Sequence, residues 1–84
     1  MTLQFKNDNG RTYNVLEVLE FNAKDKEYYK NSWQNFRAML LENDSEYVVA
    51  QYVGENSWGY GYYADGIKDA TNKFNEIAKE YLQV

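Results

Sequence analysis

Glu46–Asp65, EYVVAQYVGENSWGYGYYAD, decides the fold. Its first half, Glu46 to Val53, is rich in Val and Tyr, the residues that fit a pleated, half-buried surface, and predicts a strand. Gly54-Glu55-Asn56 supplies turn chemistry. Trp58 to Tyr63 then predicts a short last strand, in which Gly59 and Gly61 either weaken the ladder or let another backbone approach closely. Asp65 closes the stretch as a helix N-cap, because its carboxylate can accept free amide hydrogens of the first turn.

Downstream, Ile67, Ala70, Phe74, Ile77, Ala78 and Tyr81 recur at helical spacing, with Lys68, Asp69, Lys73, Glu76, Lys79 and Glu80 on the remaining faces. A helix over 65–82 follows, laid across one face of a sheet. Upstream, residues 22–42 admit two readings. Tyr29, Trp33, Phe36 and Leu40 fall on one helical stripe, with Asn22 as a cap and Asp25 completing an imitation capping box. Alternatively Phe36, Ala38 and Leu40 alternate with Arg37, Met39 and Leu41, and Glu42-Asn43-Asp44-Ser45 turns the chain into the 46–53 strand. The hairpin is preferred, since the 46–53 strand otherwise lacks a sequence-adjacent partner. Residues 22–35 are then a long connection with at most one helical turn, of a kind that is usually either functional or wrongly assigned.

The N-terminal part reads as a second hairpin. Leu3 and Phe5 alternate with Gln4 and Lys6, and Asn9-Gly10 suits a two-residue turn needing positive φ. On Arg11 to Phe21, Tyr13, Val15, Leu19 and Phe21 fall on one side and Leu16 and Val18 on the other. Glu17 interrupts the first set, so the strand is either covered on both faces or bulged near its middle.

Composition narrows the chemistry. The 84 residues suit one domain, 1–84, near the small end of what folds unaided. With no Cys and no His, disulfides, Cys/His zinc sites, thiol nucleophiles and imidazole acid–base catalysis are all removed. Nine Tyr, four Phe and two Trp must supply the buried area instead. No apolar run nears the roughly 20 residues of a membrane span, and no signal peptide is visible, so a cytoplasmic location is expected. A net charge of −4 disfavours direct contact with nucleic-acid backbones.

Several motifs give way to plainer readings. Gly59-x-Gly61-x-x-Ala64 loosely matches a dinucleotide fingerprint, but everything after Ala64 reads as one helix and leaves no room for the next strand. Aligning Gly10 with the invariant glycine of a calcium loop puts Phe5 and Leu16 at ligand positions, which excludes it. Glu17 and Glu20 face opposite sides of a strand, and Glu42, Asp44 and Glu46 cluster in a solvated turn, so no carboxylate pair suggests catalysis. Lys24, Lys26 and Lys30 interleave with Tyr28, Tyr29 and Trp33, a base-stacking pattern, but Asp25 and Glu27 offset the charge.

The aromatic cluster is the strongest candidate site. Trp58, Tyr60 and Tyr62 fall on one face of a regular strand, and Trp and Tyr anchor interfaces because they bury much area at little entropic cost. The competing reading is that the three roof a small core beneath the helix. Glu55, Tyr52, Tyr28 and Tyr29 are further partner-binding candidates.

The Asn-Gly hairpin, the Leu-Leu-Glu turn into EYVVAQYV, and WGYGYY running into an Asp-capped helix with Ala70 and Phe74 resemble small uncharacterised proteins of bacterial phages and conjugative elements. The resemblance spans about residues 36–78. It implies an accessory protein of a mobile element, a group that includes short, acidic, Tyr-rich inhibitors of host defence of the antirestriction and anti-CRISPR type.

The expectation is therefore an α+β chain: an antiparallel β-meander of four to five strands with one C-terminal helix packed on one face. Its function is non-enzymatic binding of a host protein, with no cofactor, no metal and no catalytic residues. The alternative is a small-ligand or nucleotide-binding sponge built on an aromatic pocket; homodimerisation through an exposed strand edge is a further possibility.

Overall fold

The computed structural model describes residues 3–21 and 36–82. Five strands follow one another, β1 (Gln4–Lys6), β2 (Thr12–Phe21), β3 (Phe36–Glu42), β4 (Tyr47–Val53) and β5 (Trp58–Ala64), before a helix, α1 (Ile67–Leu82). They form one antiparallel sheet in the order β1-β2-β3-β4-β5, with α1 packed against β3, β4 and β5. This is the expected α+β meander, at five strands. The hairpin reading of 36–53 holds, and the long helical stripe through Phe36 and Leu40 does not form. The expectations placed on residues 22–35 lie outside the described residues.

Each turn follows from local polar chemistry. Asn43 Oδ1 accepts the amide hydrogens of Ser45 and Glu46 at 2.9 and 3.0 Å, an Asx turn that joins β3 to β4. Between β1 and β2 the Asn7 amide donates to Arg11 O and the Gly10 amide donates to Asn7 O, with Gly10 at φ +89°. That is a three-residue loop ending in a left-handed glycine, not the two-residue turn expected of Asn9-Gly10. The two-residue form needs positive φ at Asn9 as well, and Asn9 does not have it.

Glu17 does mark a bulge. Val15 lies opposite Leu41 and Glu17 opposite Leu40, so Leu16 is the extra residue. The bulge reverses the facing of β2. Tyr13 and Val15 therefore pack on one face and Leu19 on the other, where simple alternation had put all three together.

Two buried layers result. Under α1, Ala70, Phe74 and Ile77 pack on Ala38, Leu40 and Val49. Ile67, expected in the helical stripe, lies in the first turn and is 47% exposed. The opposite face also carries a core: Phe5, Tyr13, Met39, Leu41, Val48, Ala50 and Val53 are all buried there. Curvature of the sheet covers this face. The Asp8 amide, in the β1–β2 turn, donates to Asn56 O in the β4–β5 turn at 2.8 Å, so the two edges of the sheet approach at one end. Phe5 from β1 thereby reaches Trp58 from β5, ring centroids 5.8 Å apart.

The second core contains a polar joint. Tyr13, 1% exposed, donates its hydroxyl to Glu46 Oε2 at 2.5 Å, and Arg11 lies 3.6 Å from the same oxygen. Burial, then the Glu46 hydrogen bond, raises the Tyr13 hydroxyl above its ordinary value, with Arg11 opposing in part. The fold thus favours the neutral phenol. That contribution is complete below the unfolded-state value of about 10 and is lost as pH climbs through the higher folded-state value. Wild-type stability should fall above about pH 10, and Tyr13→Phe should flatten that decline while costing about 1 kcal/mol at neutral pH. Urea unfolding at neutral and alkaline pH, with tyrosinate absorbance alongside, checks both effects.

Candidate interface on the last strand

The aromatics of Trp58 to Tyr63 do not share one surface. Trp58 turns onto the face away from α1, where its indole packs edge-on to Tyr13 (5.7 Å, 70°) and tilted against Phe5. The indole also lies over Gly61: a Cβ at that position would sit 2.6 Å from Trp58 Nε1. Gly61 is therefore required by the close approach of a side chain, rather than of another backbone as expected.

Tyr62 turns the other way, towards α1. Its hydroxyl donates to the Asp69 carboxylate at 3.1 and 3.2 Å, and Lys73 Nζ stands 5.3 Å from its ring centroid. The hydrogen bond to Asp69 raises the Tyr62 hydroxyl above its ordinary value. Asp69 also accepts the Asp65 amide hydrogen at 3.1 Å, while Gly66 O accepts the first helical bond, from Ala70. The cap position is thus Gly66 rather than Asp65, and the carboxylate that closes the helix start belongs to Asp69. An acid at the third helical position reaching back is the capping-box arrangement, displaced here by one residue.

The expected single face of Trp58, Tyr60 and Tyr62 is corrected accordingly. The cause lies on the neighbouring strand. Tyr52 has φ +57°, a left-handed conformation uncommon for a residue with a Cβ, and beyond it Val53 and its partner Trp58 both belong to the second core. Gly59 makes room for this conformation, since a Cβ there would meet Tyr52 Cβ at 3.3 Å.

What remains outward is Tyr60, 54% exposed beside Gln51, and Tyr63, 60% exposed beside Val48. Tyr52, 45% exposed, lies next to Gly59. Tyr63 was not among the expected contact residues; its place at odd spacing from Trp58 set it with the glycines, although that spacing left its direction open. Glu55 is exposed in the β4–β5 turn, on the rim of an open groove of about 590 Å³ running between Gln4–Asp8 and Glu55–Asn56. Tyr28 and Tyr29 lie outside the described residues.

β5 is the last strand of the sheet order, and among the described residues no strand lies beyond it. Among the same residues no group of three or more acidic side chains could hold a metal ion, and no helix is long and apolar enough to cross a membrane. No protein-family model, no curated protein and no solved structure matches the chain.

Proposed function

We propose that this chain is a non-enzymatic binding protein that contacts another protein along β5 through Tyr60 and Tyr63, which stand on its two faces, with Tyr52 across from Gly59 and Glu55 in the preceding turn. One observation carries the reading. Within a single aromatic strand Trp58 and Tyr62 are used for internal packing, while two tyrosines stay more than half exposed on an outermost strand. Exposed tyrosines on a rigid strand are economical anchors, with large area and only two side-chain torsions to fix. An outermost strand also offers main-chain groups for strand addition.

The concrete form of the proposal is an inhibitor of a host defence system, carried by a mobile element and acting by protein–protein contact. The resemblance of residues 36–78 and the acidic balance of the chain support that form. Affinity capture from bacterial lysate tests it, using the wild type and a Tyr60→Ala/Tyr63→Ala variant. The expected result is one host restriction or DNA-processing protein whose activity falls on binding, with capture lost in the variant. Capture that survives the double substitution overturns the proposed surface.

A second reading, a small-ligand sponge, would use the groove beside Glu55. Its lining has one aromatic side chain, Phe5, and so offers no pair of rings to sandwich a base.

A further inference from the structure

We propose that β5 pairs with β5 of a second copy, antiparallel about Gly61, to make a continuous ten-stranded sheet across a two-fold axis. The inference rests on reading β5 as the contact surface, and it names a partner for the main-chain edge of that surface.

The two edges of the sheet differ. β1 is a three-residue strand containing Lys6, and the turn that follows it is tied to Asn56. β5 has seven residues, WGYGYYA, with no charge and no proline. Edge strands are normally guarded by charges, proline, shortness or a cover, and beyond its first residue, where the β1–β2 turn and Phe5 approach, β5 has none of these among the described residues. An edge of this kind is a template for another strand.

The sequence of β5 suits its own copy. Antiparallel pairing places Gly61 opposite Gly61 and Tyr60 opposite Tyr62 of the second copy. Gly59 then faces Tyr63 of the second copy, so that a large side chain meets a glycine, while the irregularity at Trp58 leaves the first residue of the strand out of the face-to-face pairing. Tyr63 of the second copy thus lies across Gly59 from Tyr52, bringing two of the exposed tyrosines into one row. Charge does not oppose this register despite the net −4 of the chain. None of the seven residues of β5 is charged, so the ladder itself sets no two carboxylates against each other. The contact is isologous and closes at two copies, which avoids a growing fibre.

Light scattering on the full chain over a wide concentration range tests the proposal, with a Tyr60→Lys/Tyr63→Lys variant that adds guarding charges at exposed positions. The expected result is a wild-type mass of twice the 10.0 kDa chain, falling to the single-chain mass in the variant while cooperative unfolding is retained. A wild type of single-chain mass at every concentration overturns the dimer, as does a dimer that survives in the variant. The two proposals fail separately. A monomer that loses its host protein on Tyr60→Ala/Tyr63→Ala keeps the contact surface and loses the dimer. A dimer whose capture of a host protein is untouched by those changes keeps the pairing and loses the surface.

Discussion

Phe74→Ala should destabilise the chain by about 3–5 kcal/mol, the range for deleting a buried aromatic ring. Phe74 is 6% exposed and lies midway along the buried stripe of α1, between Ala70 and Ile77. The sheet residues of its cluster include Ala38 and Val49 beside Leu40, and side chains as short as Ala38 and Val49 cannot move in to fill the space. The loss includes both the transfer energy of the ring and the cavity left behind. Domains of this size have only about 5–15 kcal/mol in total, so urea unfolding should show a midpoint reduced by a large fraction. A change below about 1 kcal/mol would mean that α1 does not rest on the sheet through this residue.

Trp58→Ala should cost about 3 kcal/mol, the lower end of the same range because the indole is half-buried rather than enclosed. The indole covers Gly61, packs on Phe5 and Tyr13, and so joins β5 to β1 and β2 across the open side of the curved sheet. A companion change approaches the same contact from the other side. Gly61→Val leaves the indole in place but removes its seat, and overpacking of this kind costs about 1–3 kcal/mol. Combined, the two changes should cost less than the sum of the singles, because the first removes the group that the second collides with. A double-mutant cycle by urea unfolding measures that coupling.

Much of this architecture is legible from side-chain periodicity. The alternation of Phe36, Ala38 and Leu40 against Arg37, Met39 and Leu41 marks β3, and the spacing of Ala70, Phe74 and Ile77 marks the buried face of α1. Glu17, an acid at a position the pattern reserves for an apolar residue, signals the bulge at Leu16. These features are local, and local features leave a trace in sequence.

The candidate site is less legible because its geometry depends on one backbone torsion and on curvature. Assigning Trp58, Tyr60 and Tyr62 to one face assumes a regular ladder. Tyr52 breaks it with a left-handed φ that sequence normally announces with Gly or Asn. Nothing about a tyrosine in EYVVAQYVG predicts that conformation. The second core depends on the Asp8–Asn56 hydrogen bond and the Phe5–Trp58 contact, which join residues about fifty positions apart. No periodicity within a strand can report such a closure. The cap expected at Asp65 falls instead at Gly66, because Asp69, one turn on, supplies the carboxylate that serves Tyr62 and the Asp65 amide together.

The functional account therefore stands on a division of labour within β5, two aromatics holding the fold and two left for a partner. Urea unfolding of four single alanine variants, at Trp58, Tyr60, Tyr62 and Tyr63, tests that division most directly. The account predicts losses of about 3 kcal/mol for Trp58→Ala and at least about 1 kcal/mol for Tyr62→Ala, which also gives up the Asp69 hydrogen bond. Tyr60→Ala and Tyr63→Ala should stay within about 0.5 kcal/mol of wild type, as exposed positions do. A Trp58→Ala variant as stable as wild type, or a Tyr60→Ala variant as damaged as Trp58→Ala, would contradict it.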